Sequence, residues 1–125
     1  MAKVLLVDDD VDIQEINQLV LQRRGHEVTL AYSATEARNR LENARPDIVV
    51  LDVMMEHFTA GIELASEINE NLPGTPMIMV SGLRGKLDPA PEGFVFDESK
   101  LPVMKFLDKP FAPDRLADEI EALLG

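Results

Sequence analysis

Short apolar runs alternate with stretches of helical periodicity along almost all of this 125-residue chain, and no other feature constrains its fold as strongly. The apolar runs have the length of single strands and fall at residues 4–7, 28–30, 48–51, 77–80 and 103–107. Strands that alternate with helices are typical of an α/β fold, in which helices cover a parallel sheet. The sequence therefore predicts five βα units around one sheet. It does not predict whether the segment between the last two strands forms a helix.

Several helix boundaries are also marked in the sequence. Apolar residues at helical spacing predict the first helix, namely Ile13, Ile16 and Val20. Gly25 suits a left-handed residue just after the end of that helix. Ser33 and Glu36 have the spacing of a capping box, which predicts the start of the second helix. Pro113 is placed as the first residue of the last helix. The buried stripe predicted for that last helix consists of Leu116, Ile120 and Leu123.

Charge and cysteine content exclude several classes of protein. Twenty-three acidic and twelve basic residues give a formal net charge of −11, which repels phosphate backbones and anionic lipid. We therefore expect no nucleic-acid partner and no membrane partner. Without cysteine the chain forms neither a disulfide nor a thiolate metal site. Its apolar runs are too short to span a bilayer and its first residues lack a signal-peptide pattern, so we expect a cytoplasmic protein with one domain over residues 1–125.

Polar residues follow four of the predicted strands. Asp8 and Asp9 come after the first, Asp52 after the third, Ser81 after the fourth and Lys109 after the fifth. In an open parallel sheet, ligands bind at the carboxyl ends of the strands, so these side chains are expected in one place. Clustered carboxylates repel one another and favour a cation, and a hydrated site of oxygen ligands suits Mg²⁺. The lysine and the hydroxyl then suit an incoming phosphoryl group.

Four motifs, in their order along the chain, resemble those of the receiver domain of two-component response regulators. They are Val7-Asp8-Asp9-Asp10, Leu51-Asp52, Ser81-Gly82 and Asp108-Lys109-Pro110-Phe111. The resemblance covers almost the whole chain. It implies a flavodoxin-like, doubly wound sheet of five parallel strands in the order 2-1-3-4-5.

The resemblance also assigns a phosphoacceptor and a metal site. Asp52 would accept a phosphoryl group from the phosphohistidine of a histidine kinase or of a phosphotransfer protein. Mg²⁺ would be bound by the side chains of Asp9 and Asp52 and by the main-chain carbonyl of Met54. Asp8 would act on the metal through water.

Three further residues receive roles from the same resemblance. Lys109 would pair with the phosphate, Ser81 would move toward it, and Phe106 would occupy the position of the switch aromatic. The added negative charge at Asp52 would thus shift the equilibrium between two conformations of the protein surface. We expect a single-domain response regulator, a phosphoacceptor rather than an enzyme, whose unknown downstream target is a protein.

The segment Leu83–Leu101 departs from the family pattern. It makes the stretch between Ser81 and Lys109 several residues longer than is typical, and prolines at 89 and 91 fall where the fourth helix normally lies. We expect this segment between the fourth and fifth strands to be atypical and mostly irregular.

Two apolar residues bear on how long the phosphoryl group would stay. Met54 and Leu83 lie two residues beyond Asp52 and Ser81, at positions that in receivers border the path of the hydrolytic water. Neither side chain can orient a water molecule by hydrogen bonding, so the sequence predicts a slow loss of the phosphoryl group.

Other functions are also compatible with parts of the sequence. The main alternative is a degenerate receiver that binds a protein partner without phosphorylation. An aspartyl phosphatase is disfavoured because Met54 stands where a second Asp is commonly needed, and a flavin carrier because the acids after the first strand repel phosphate. His26 and His57 have no spacing that indicates a ligand pair, and we expect both in solvent or loops.

Overall fold

The computed structural model describes residues 2–52, 60–81, 105–108 and 111–125, and at residues 60, 81, 106 and 108 the description covers the backbone alone. Strands and helices alternate along the chain as β1 Lys3–Val7, α1 Val11–Arg23, β2 Glu27–Ala31, α2 Ala34–Asn43, β3 Ile48–Asp52, α3 Ala60–Asn71, β4 Met77–Ser81, β5 Lys105–Asp108 and α4 Pro113–Leu124. The predictions for Leu83–Leu101, Met54, His57 and Lys109 lie outside the described residues.

The strands form one parallel sheet in the order β2-β1-β3-β4-β5. This confirms the predicted α/β fold and the order 2-1-3-4 of the first four strands. The chain returns to the sheet through a helix after each of the first three strands, and the register brings Val7 level with Ala31 on one side and with Leu51 on the other. The carboxyl ends of β1, β2 and β3 therefore lie at the same edge.

The sheet is covered on both faces. Leu5, Val49 and Met77 pack on one face in a cluster with residues of α2 and α3. Val4 and Ile48 pack on the other face in a cluster with residues of α1 and α4. All five residues of β3 are buried, because a central parallel strand has helices on both sides. This explains why its sequence is a continuous aliphatic run rather than an alternating one.

The predicted helix boundaries agree with the structure. Gly25 has a φ of +89°, which places it in the left-handed region just after α1. The Ser33 hydroxyl accepts a hydrogen bond from the Glu36 N–H at 3.1 Å, and the Glu36 carboxylate accepts one from the Tyr32 N–H at 3.1 Å. Pro113 begins α4. The predicted stripe of α4 is buried at Leu116 and Ile120 and half-buried at Leu123.

The first helix turns a different face to the core than its apolar spacing suggests. The helix itself is where Ile13, Ile16 and Val20 predict it, but its buried residues are Gln14, Asn17 and Leu21. Ile16 and Leu19 are 53% and 50% exposed. Two of the three buried residues of α1 are thus polar.

Within the described ranges, none of the helices combines the length and the apolar character needed to cross a lipid bilayer.

Candidate functional site

Three carboxylates meet where β1 and β3 end. One oxygen each from Asp8, Asp9 and Asp52 lies within 4.8 Å of the other two. Asp52 is the last residue of β3, and Asp8 and Asp9 follow β1 directly. Because β1 and β3 are adjacent and parallel, their carboxyl ends bring together residues that are more than forty positions apart in sequence. The predicted convergence of these three acids is confirmed.

The three acids differ in their exposure to solvent. Asp8 and Asp52 are each only 7% exposed, whereas Asp9 is exposed. Two carboxylates thus form the protein side of the site, and the third lies at its boundary with water. A cation bound there would have both protein oxygens and water as ligands.

Main-chain hydrogen bonds fix the loop that carries two of these acids. The Asp8 N–H donates to the carbonyl oxygen of Ala31 at 3.1 Å, which extends the contact between β1 and β2 by one residue. The Asp10 N–H donates to Asp8 Oδ1 at 3.0 Å. Asp10 in turn caps α1, because its Oδ1 accepts from the Ile13 N–H at 3.2 Å. Asp9 therefore lies between two residues that are held in place.

The charges of the cluster favour a divalent cation. At 4 Å, two unit negative charges repel by about 1 kcal/mol in water and about 4 kcal/mol at an effective dielectric of 20. A cation among the three oxygens removes that repulsion. Among the described residues the donors are carboxylate oxygens, and one of the three acids is exposed to water, which fits Mg²⁺ better than a metal that prefers nitrogen or sulfur ligands.

The other predicted site residues are placed only in part. Ser81 is the last residue of β4, so its backbone reaches the same edge of the sheet, and it pairs in register with Asp108. The backbone of Phe106 lies in β5 beside Met79. Lys109 and the carbonyl of Met54 lie outside the described residues, and the side chains of Ser81 and Phe106 do as well. Their roles stay predictions.

Two buried polar residues next to the acids are absent from the predictions made from the sequence. Gln14 and Asn17 of α1 line a small cavity together with Asp8 and Asp52. Both are buried, although amide side chains are usually exposed. Residues 14, 17 and 21 lie on one face of a helix, but Ile13, Ile16 and Val20 have the same spacing, so spacing in the sequence does not select the buried face.

His26 was expected in solvent or a loop, and it lies in the loop between α1 and β2. Its side chain is nevertheless not in solvent, since only 8% of it is exposed. Nδ1 accepts a hydrogen bond from the Ala2 N–H at 3.2 Å, and Nε2 lies 3.0 Å from Glu121 Oε2. Its role in the described part of the chain is to join elements far from the acidic cluster.

Known proteins share both the sequence pattern and the fold. The sequence model of the response regulator receiver domain matches residues 4–121. Among curated relatives, the alkaline phosphatase synthesis transcriptional regulatory protein PhoP of Bacillus subtilis is 30% identical over 122 residues, which are 98% of this chain and 48% of PhoP. The chemotaxis protein CheY of Listeria monocytogenes is 30% identical over 122 residues, which are 97% of each chain. The chain thus spans about half the length of PhoP and nearly all of CheY.

Solved structures agree with these relatives. The receiver domain of the Francisella response regulator 1452 superposes with a TM-score of 0.82 at 27% identity, covering 99% of this chain and 97% of that one. The chemotaxis response regulator CheY4 of Vibrio cholerae gives a TM-score of 0.80 at 27% identity, covering 98% of each chain. The match of sequence, sheet and acidic cluster leads to one conclusion: this chain belongs to the response regulator receiver domain family.

Proposed function

We propose that this protein is a phosphoacceptor of two-component signalling, with Asp52 as the residue that is phosphorylated. The observation that supports this most is the position of Asp52 at the end of a fully buried strand, 7% exposed and within 4.8 Å of two other carboxylates. Membership of the receiver family supports a phosphoacceptor role in general. The proposal extends over residues 1–125 as one receiver domain with a five-stranded sheet in the order 2-1-3-4-5.

In the proposed reaction a carboxylate oxygen of Asp52 forms a bond to phosphorus. The bond from phosphorus to the histidine nitrogen of the donor breaks, and its electron pair stays with the imidazole. Burial fixes the direction of the Asp52 carboxylate, so that little orientational freedom is lost on reaching the transition state. The protein would take the phosphoryl group from a histidine kinase or a phosphotransfer protein.

The metal site we propose consists of Asp9 and Asp52 as direct ligands, with the carbonyl of Met54 as a third and Asp8 acting through water. When bound, Mg²⁺ supplies positive charge that offsets the charge of the phosphoryl oxygens. Asp8 is suited to an indirect role because it is buried and its Oδ1 already accepts the Asp10 N–H.

The remaining roles follow from the family pattern. Lys109 would pair with the phosphoryl oxygens, and Ser81 and Phe106 would couple phosphorylation to a change at the protein surface. We propose that the output is contact with another protein, not with nucleic acid, because the net charge of −11 repels phosphate backbones. A cytoplasmic location stays a prediction from the sequence.

The test is phosphorylation of the purified protein by acetyl phosphate with Mg²⁺, followed by intact mass spectrometry. We expect one phosphoryl group on the wild type and none on Asp52→Asn or after Mg²⁺ is chelated. Asp47→Asn is the matched control, because Asp47 precedes β3 at the opposite edge of the sheet, where its carboxylate accepts the Lys3 N–H. This control should be labelled like the wild type.

Two results would contradict the proposal. Labelling of Asp52→Asn at the wild-type level would place the phosphoryl group elsewhere. A folded wild-type protein that takes no label would instead favour the degenerate receiver, which binds a partner without phosphorylation.

A further inference from the structure

Gln14 is a polar side chain that the core of this protein encloses almost completely. Gln14 is only 1% exposed, and it lies on the core side of α1, three residues after the helix begins at Val11. Its Nε2 donates to the carbonyl oxygen of Leu6 at 3.0 Å and to that of Ala31 at 2.9 Å. Both hydrogens of the amide group are thus used, and each goes to a different strand.

The two carbonyls lie where the strands approach the acidic site. Leu6 is the second residue from the end of β1, and Ala31 is the last residue of β2. The Ala31 oxygen accepts two hydrogen bonds, one from Gln14 and one from the N–H of Asp8. The Ala31 carbonyl therefore holds both the main chain of Asp8 and the side chain of Gln14.

The loop after β1 closes this arrangement into a ring of hydrogen bonds. Asp8 accepts from the Asp10 N–H, and Asp10 caps α1, the helix that carries Gln14. The exposed Asp9 lies between Asp8 and Asp10, so the position of its carboxylate follows from how this loop is held. If α1 moved away from the sheet, Asp10 and Asp9 would move with it, whereas Asp52 would stay on β3.

Electrostatic repulsion among the three acids favours such a movement of the loop. Three carboxylates within 4.8 Å repel one another, and separation of the loop from β3 would relieve that repulsion. The hydrogen bonds of Gln14 oppose the separation, because breaking them leaves both N–H donors of a buried amide without partners.

We propose that Gln14 is a positioning residue for the metal site, one that holds Asp8 and Asp9 at the distance from Asp52 that a divalent cation requires. This rests on the proposed function, since it takes Mg²⁺ as the ion. Gln14 would not contact the ion itself and would act through the loop after β1, which carries Asp8 and Asp9. Residues that orient metal ligands in this way commonly change metal affinity when they are replaced.

The experiment compares Gln14→Met with Leu21→Ala. Methionine keeps the length and volume of the side chain but has no donor, whereas Leu21→Ala removes buried apolar contacts from the same helix face without touching the loop. Both variants lower stability, so stability alone does not separate them. Mg²⁺ affinity is measured from the shifts of backbone amide signals in NMR spectra, at a temperature where all proteins are folded.

We expect Gln14→Met to bind Mg²⁺ roughly tenfold more weakly than the wild type, and Leu21→Ala to bind it like the wild type. In the absence of metal, the Asp8 amide should exchange its hydrogen faster in Gln14→Met than in Leu21→Ala, after correction for global stability. If Gln14→Met does not fold, Gln14→Asn replaces it, because its shorter amide cannot reach both carbonyls.

The outcomes separate this inference from the proposed function. A wild-type protein that binds no Mg²⁺ would contradict the proposed function. A wild type that binds Mg²⁺ while the Gln14 variant binds it equally well, with unchanged exchange at Asp8, would overturn the role of Gln14 alone.

Discussion

Nε2 of His26 lies 3.0 Å from Oε2 of Glu121, a residue 95 positions further along the chain. The other ring nitrogen, Nδ1, accepts the N–H of Ala2, so the proton between the ring and the carboxylate is carried by Nε2. The ring thereby connects the residue before β1 to the last helix. It is the buried part of a larger contact between the end of α1 and α4.

Arg24 forms the exposed part of that contact. Its guanidinium lies 2.8 Å from Asp118, 3.2 Å from Asp114 and 3.3 Å from Glu121, all on α4. These acids, Asp118 first, raise the pKa of Arg24 above its usual value. The hydrogen bond from His26, with a further contribution from Arg24, lowers the pKa of Glu121 below its usual 4.5.

The lowered pKa of Glu121 predicts a pH dependence of stability. A carboxyl group that binds its proton less readily when folded stabilises the protein above its ordinary pKa, and this contribution is lost as pH falls through the folded-state pKa. We expect Glu121→Gln to be less stable than the wild type at neutral pH, with the difference shrinking in acid. The measurement is the urea midpoint of both proteins from about pH 6 down to about pH 3.

Glu70→Gln is the control for this prediction. Glu70 is an exposed acid of α3 that forms no ion pair with any other described residue. Its replacement should leave the wild-type pH profile in place. A constant difference between Glu121→Gln and the wild type at every pH would contradict the assignment.

The orientation of α1 predicts that a Leu→Ala substitution lowers the free energy of unfolding much more on the buried face than on the exposed face. Leu21 is 0% exposed and Leu19 is 50% exposed. We expect Leu21→Ala to lower the free energy of unfolding by about 2–5 kcal/mol, because it leaves a cavity in the core. Leu19→Ala should change it by no more than about 0.5 kcal/mol. Chemical denaturation of both variants gives the comparison, and equal costs would mean that Leu19 faces a packed surface.

This difference between the two faces of α1 illustrates what the sequence could not supply. Apolar spacing at Ile13, Ile16 and Val20 predicted a helix correctly, because helix formation depends on local periodicity. The face turned inward depends on whether a polar residue finds partners there. Gln14 finds them in the carbonyls of Leu6 and Ala31, which belong to two different strands.

The acidic site was predictable because it follows from a general rule of parallel sheets. Asp8, Asp9 and Asp52 each come at the end of an aliphatic run, and parallel neighbours bring such ends together. No comparable rule predicts the burial of His26. Its partner Glu121 is on the last helix, so its burial depends on the packing of α1, β2 and α4 and not on any pattern around residue 26.

The apolar residue Met54 predicts a long-lived phosphoryl group on Asp52. Asn at this position could hydrogen-bond a water molecule and so help to align it with the phosphorus. We expect Met54→Asn to lose the phosphoryl group several-fold faster than the wild type, measured as the decay of the phosphorylated mass after the donor is removed. Met55→Asn, one residue further on, should decay like the wild type. A wild-type lifetime on the order of seconds, unaltered in Met54→Asn, would contradict the prediction.

The repulsion among the three carboxylates predicts opposite effects of Asp9→Asn with and without metal. Asp9 is the exposed member of the cluster, so removal of its charge relieves repulsion without leaving a buried group unpaired. We expect the variant to be more stable than the wild type by about 1 kcal/mol in metal-free buffer. Mg²⁺ should stabilise the wild type, by about 2.7 kcal/mol at a hundredfold excess over its dissociation constant, and should stabilise Asp9→Asn much less.

Asp12→Asn separates the cluster from a general effect of charge. Asp12 is also exposed and acidic, but it lies in the first turn of α1, where a negative charge is favourable, and it is not one of the three clustered acids. Its replacement should lower stability slightly without metal and should leave the stabilisation by Mg²⁺ unchanged. Thermal unfolding of all three proteins, with Mg²⁺ and with chelator, measures both effects. If Asp9→Asn responds to Mg²⁺ as strongly as Asp12→Asn does, Asp9 is not a ligand of the ion.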